Sequence, residues 1–233
     1  MKAGKSRLFR PLIFRWEAIM AREVREDVRD TVNSYITDML ALEEHIEKAL
    51  SGQIKDFDEE YPRITAQLRS IHARCEQHIR GLKSLTEERG GAGTGFTEAI
   101  KRAAAAIAGL GAAGVELLRT GKLPKDLRDD YTALNLAAIG YTMLFTTARS
   151  LDEDRVAELA ERHLRDYADA LMTLHDAIPG AVVEFLQRDG LPARAVVLPD
   201  VANTVEDIWR GVSTPTGDER WIEVERVVST IVT

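Results

Sequence analysis

The stretch Ser34–Leu50, SYITDMLALEEHIEKAL, decides the fold. Read as part of a helix from Asp27 to Ser51, it gathers Tyr35, Ile36, Met39, Ile46 and Leu50 on one apolar stripe. Glu43 falls near the centre of that stripe. A carboxylate buried without a proton, a cation or a metal costs several kcal/mol, so this position asks for a partner inside a helical bundle. The other reading is a small rotation of the helix. Glu43, Glu44 and Glu47 then share a solvated edge or pair with Lys or Arg of a neighbouring helix.

Outward from this stretch the helical period continues to Gly190, with turn chemistry between segments. A first helix is expected from about Val24 to Leu50, stopped by Ser51-Gly52. A second starts near Asp58 with Pro62 in its first turns and repeats Ile64, Leu68, Ile71, Cys75, Ile79, Leu82 and Leu85. Gly90–Gly95 ends it. No strand precedes that glycine cluster and no Gly-Lys-Ser/Thr follows, so it reads as a connector rather than a phosphate loop. An Ala/Gly-rich insert, Phe96–Thr120, suits close helix contact.

A third helix is expected from Pro124 to about Ser150, with Leu134, Ala138, Tyr141 and Phe145 inward. A fourth starts at the cap-like Leu151-Asp152-Glu153-Asp154 and runs through Val156, Leu159, His163, Tyr167, Ala170, Leu174 and Ile178, with Pro179-Gly180 as a kink or an end. Beyond Gly190 the β-branched runs ARAVVLP and VERVVSTIVT are expected as short strands, and Trp209 and Trp221 imply packing on the bundle or on a partner subunit. Four long helices with short connections are most economically an all-α four-helix bundle. The expected organisation is an arm at 1–23, the bundle at 24–189 and a C-terminal extension at 190–233.

Composition narrows the function. The net charge of -7 argues against nucleic-acid binding over the whole surface. The acidity lies outside residues 1–25, which hold seven Lys or Arg against two Glu. In that arm Leu8, Phe9, Leu12, Ile13, Phe14 and Trp16 interleave with Arg7, Arg10 and Arg15. Such a pattern suits a membrane surface, an acidic protein partner, or packing across its own bundle. Cys75 is the only cysteine, so no internal disulfide forms and a cytoplasmic location is expected, with the thiol as core filler. No apolar run is long enough to span a bilayer and no signal peptide is read.

Chemistry-bearing residues are few. His72 and Glu76 share a face of the second helix at i and i+4, with His78 on its other flank. His163 and Asp166 stand at i and i+3 on the fourth. In two-metal carboxylate bundles a Glu from each of two helices joins a Glu-x-x-His from each of the others. Here the matching part of the third helix, Leu134–Ile139, offers no carboxylate or imidazole, only Asn135, a candidate hydrogen-bond partner for Glu43. The histidines also suit half-buried positions bonded to backbone or carboxylate. No nucleophile with an adjacent base, zinc spacing or nucleotide fingerprint is present.

Segment order resembles the YciE/YciF-type ferritin-like family, bundle proteins associated with stress. The resemblance is carried by SYITDMLALEEHIEKAL, CEQHIRGL, the Ala108–Gly111 insert continuing into GVELLRTGKL, and GYTMLFTTARSL, over about residues 33–185. It implies a ferritin-like bundle with the Ala/Gly-rich helical insert and terminal extensions. Glu43 corresponds to the family's first-helix carboxylate, Glu76 to a second-helix one and Asp166 to an acidic position of the fourth. The family's third helix carries a Glu-His-x-x-Glu-like stretch where this chain has Leu134, Asn135, Leu136 and Ala137. The expectation is a homodimer with a degenerate metal site and a structural or protective role. The alternatives are an iron- or manganese-binding protein handling peroxide or oxygen through Glu43, His72, Glu76, His163 and Asp166, and an adaptor acting through residues 1–25.

Overall fold

The computed structural model describes residues 10–90 and 123–213, with side chains described for 22–90 and 123–210. The helices are α1 (Arg10–Phe57), α2 (Pro62–Glu88), α3 (Leu123–Ser150), α4 (Asp154–Arg188) and α5 (Leu198–Ser213), with a 3-10 turn at Ala195–Val197 before α5. No strand occurs among the described residues. The insert at 96–120, Trp221 and the run VERVVSTIVT lie outside the described residues. The chain is an all-α, ferritin-like bundle, and no described helix is long and apolar enough to cross a membrane.

Each bundle helix buries residues at alternating spacings of four and three, the 3.5-residue repeat that keeps one seam facing its neighbours. On α1 the seam is Val32, Ile36, Met39, Glu43, Ile46, Leu50 and Phe57; on α2 it is Ile64, Leu68, Ile71, Cys75, His78, Leu82 and Leu85. On α3 it runs Leu123, Leu127, Asp130, Leu134, Ala137, Tyr141, Leu144 and Ala148, and on α4 Val156, Ala160, His163, Tyr167, Ala170 and Leu174. Burying a Leu or Ile from these seams stabilises the fold by about 1.5–3 kcal/mol each. Polar residues on the seams must therefore find partners in the core.

α1 does not stop at Ser51-Gly52. Gly52 faces outward with open space where a Cβ would stand, while the seam continues to Phe57. Packing outweighs the propensity cost of about 1 kcal/mol for a helical glycine. α1 also starts earlier than expected, at Arg10, so residues 10–23 extend the first helix rather than preceding it. Phe57 and Tyr61 meet edge to face at 5.9 Å in the turn that leads to Pro62 at the start of α2. The α3–α4 reversal is made by Asp152 at φ 57, with the Glu153 N–H donating to the Ala148 carbonyl at 2.9 Å, a Schellman-type ending. Arg89 ties this turn to α1 and α2, donating to Asn33 Oδ1 at 2.7 Å and to both carboxylate oxygens of Glu153. Where Gly140 passes α1, the missing side chain leaves room for Met39, whose sulfur stands 2.5 Å from where a Cβ would be.

The chain divides into two compact units, residues 1–174 and 175–233. In the second, α4 continues through Pro179 to Arg188. The run ARAVVLP forms the 3-10 turn and the start of α5, not a strand. Its β-branched residues are outnumbered by a helical repeat, Leu198, Val201, Val205 and Ile208, that takes over immediately.

Candidate functional site

Glu43 is fully buried at the centre of the bundle. Its Oε1 accepts from the Tyr141 hydroxyl of α3 at 2.6 Å and from His78 Nδ1 of α2 at 3.0 Å, and its Oε2 accepts from the Tyr167 hydroxyl of α4 at 2.7 Å. Every other helix of the bundle thus sends one donor to a single carboxylate of α1. Hydrogen bonds to a charged acceptor contribute about 1.5–3 kcal/mol each. Tyr141→Phe and Tyr167→Phe are each expected to lower the unfolding free energy by that amount, measured by urea titration. Wild-type stability in both would show that the hydroxyls do not hold the carboxylate.

His78 bridges two carboxylates. Nδ1 faces Glu43 and Nε2 faces Asp166 Oδ2 at 3.1 Å, so both nitrogens donate only when the ring is the imidazolium. Burial works to lower the pKa of His78, but the hydrogen bonds and charges of Glu43 and Asp166 outweigh it and the net shift is upward. His163 stacks on His78 with ring centres 3.9 Å apart. Its burial, then the His78 charge and Arg162, push its pKa down to about 2, so it stays neutral. As the Tyr141 hydroxyl donates its hydrogen bond to Glu43, the tyrosine oxygen is left to accept from His163 Nδ1–H at 2.9 Å. Cys75 likewise meets the Tyr167 oxygen at 3.7 Å. Burial and the Glu43 charge raise the Tyr141, Tyr167 and Cys75 pKa values, which keeps all three protonated and removes Cys75 as a nucleophile.

The structure divides the five residues singled out from the sequence. Glu43 and His163 lie together in the core. Asp166 joins them through His78, with its side chain 42% exposed at the rim. His72 and Glu76 stand apart in a half-exposed group with Glu47, whose Oε1 lies 2.8 Å from His72 Nε2. Asn135 is exposed and does not reach Glu43; Tyr141, about 1.7 turns further on, takes that place. Tyr141 and Tyr167 were missed as polar partners; His78, expected half-buried and bonded to backbone or carboxylate, was left out of the ligand set but lies in the core between two carboxylates. Seam spacing was the available signal for His78, since Ile71, Cys75 and Leu82 lead to position 78 and leave Ile79 half-buried.

A two-metal centre does not fit these residues. Its i, i+3 ligand frame is kept in position by Cys75 and His78 on α2 and by His163 and Asp166 on α4, but the thiol is not a carboxylate and α3 offers a phenol. Two divalent cations would face Glu43 and rim-lying Asp166 as the carboxylates of the network, with both Glu43 oxygens already taken by protein donors. One ion is a different matter. Ligand atoms of Glu43, His78 and His163 lie within 4.8 Å of one another, and two imidazoles with one carboxylate suit iron, manganese or zinc. Binding would require the His78 Nδ1 proton to leave, with Asp166 holding the ring through Nε2–H.

The family described as "Domain of unknown function (DUF892)" matches residues 28–187. A crystal structure of a protein from Xanthomonas campestris pv. campestris is similar at a TM-score of 0.56 and 20% identity, covering 71% of this chain and 99% of that one. No curated protein matches the sequence.

Proposed function

The chain belongs to the family described as Domain of unknown function (DUF892), and from that premise we propose a stress-associated ferritin-like bundle whose metal centre has given way to a protein-only network. Its role is then structural or protective rather than that of a fast enzyme. One observation carries this reading: both oxygens of Glu43 are engaged by protein donors from Tyr141, Tyr167 and His78, and the His78 imidazolium bridges the Glu43 and Asp166 carboxylates where a metal would otherwise stand. Among the described residues, a core built this way satisfies the Glu43 carboxylate from the protein itself and leaves the Cys75 thiol protonated.

A second reading is favoured by the convergence of Glu43, His78 and His163: a mononuclear metal site handling peroxide or oxygen. Metal analysis by mass spectrometry separates the two. The full chain, expressed with added iron and manganese, is expected to hold well under one ion per chain, with a melting temperature unmoved by chelator. Stoichiometric metal that disappears in Glu43→Gln and His78→Gln would overturn the first reading and establish the second.

A further inference from the structure

Gln53 of α1 and Asp130 of α3 meet on their seams, away from the Glu43 network. The Gln53 side-chain nitrogen donates to Asp130 Oδ1 at 2.7 Å. The two remaining oxygens, Gln53 Oε1 and Asp130 Oδ2, are buried and have no hydrogen-bond partner. Neither borders a space that water could enter, so a bridging water has no room there. The missing partner must be smaller. A carboxylic acid and a primary amide pair as a ring: the amide N–H donates to one acid oxygen and the acid O–H donates to the amide oxygen. The first of these bonds is in place, and the two orphaned oxygens are the ends of the second.

We propose that a proton resident on Asp130 Oδ2 closes this ring, making Gln53 and Asp130 a neutral clasp between α1 and α3 that opens when the proton leaves. The surroundings hold the proton. Burial acts first to raise the Asp130 pKa, and Asp126 and Asp129 of its own helix add to it, while the Gln53 N–H works the other way; the result is about 7. From α1, Asp56 faces Asp126 and adds further negative charge to the cluster. Against an ordinary aspartate the proton affinity is about a thousandfold higher.

The sign follows from linkage. A carboxyl raised by folding contributes stability that is full below its unfolded pKa of 3.8 and is lost as pH rises through about 7. Asp130→Asn replaces the acid O–H by an amide N–H and removes this titration. Thermal melts of the full chain should show the excess of Asp130→Asn over wild type growing by about 5–10 °C from about pH 5 to about pH 8. A difference independent of pH would overturn the clasp. If the variant does not fold, wild type decides: with carbon-13 in aspartate carboxyls, NMR should find one titrating near pH 7, and titration of every aspartate below about pH 5 would overturn it.

Discussion

Glu43→Ala is expected to lower the unfolding free energy by about 3–5 kcal/mol, measured by urea denaturation at neutral pH. The loss comes less from the carboxylate than from what it leaves behind. Tyr141, Tyr167 and His78 each point a donor at Glu43, and each would keep that donor in the core with no acceptor. The imidazolium is the costliest of the three, since Asp166 at the rim would remain its only counter-charge in the network. Glu43→Gln should lose about half as much, because the amide oxygen still accepts while the charge is gone. An alanine variant as stable as wild type would mean that the network is not what holds the bundle centre together.

The second large effect is acid instability set by His163. Its folded pKa, about 2, lies below the ordinary histidine value of 6.5, so below pH 6.5 the unfolded chain takes up a proton that the folded chain refuses. Stability present above pH 6.5 is lost as pH falls, by about 2–3 kcal/mol between about pH 6.5 and about pH 4.5. Asp130 has the opposite slope over the same window, since protonating it restores the pair with Gln53. Wild type should therefore look nearly flat there. Asp130→Asn should expose the acid loss, and adding His163→Gln should abolish it, with urea midpoints at the two pH values as the readout. An Asp130→Asn chain equally stable at both would show that His163 is not held neutral.

Much of this architecture was legible in the residues. The stripe around Glu43 predicted a buried carboxylate needing a partner, and the carboxylate is fully buried with three. His163 was likewise legible on the fourth-helix stripe. His78 was legible by type as a half-buried histidine bonded to carboxylate, but its seam position was not, because the apolar Ile79 beside it reads as the stripe residue. Asp130 stood on its seam for the same reason unseen: hydrophobic pattern alone treats a polar residue as an interruption. The expected strand ARAVVLP failed where β-branched content was weighed above the helical repeat that follows it.

The sequence by itself determined that the chain is an all-α bundle and which face of each helix turns inward, because a seam of apolar residues repeats at helical spacing within one segment. Only the tertiary structure decided which polar seam residues meet: Tyr141 and Tyr167 with Glu43, His78 between Glu43 and Asp166, Gln53 with Asp130, and His72 with Glu47 outside. Periodicity sets rotation about a helix axis but carries no information on the stagger between helices. Stagger comes from how four seams interlock, and a shift of one turn, about 5.4 Å, would give every buried donor a different acceptor.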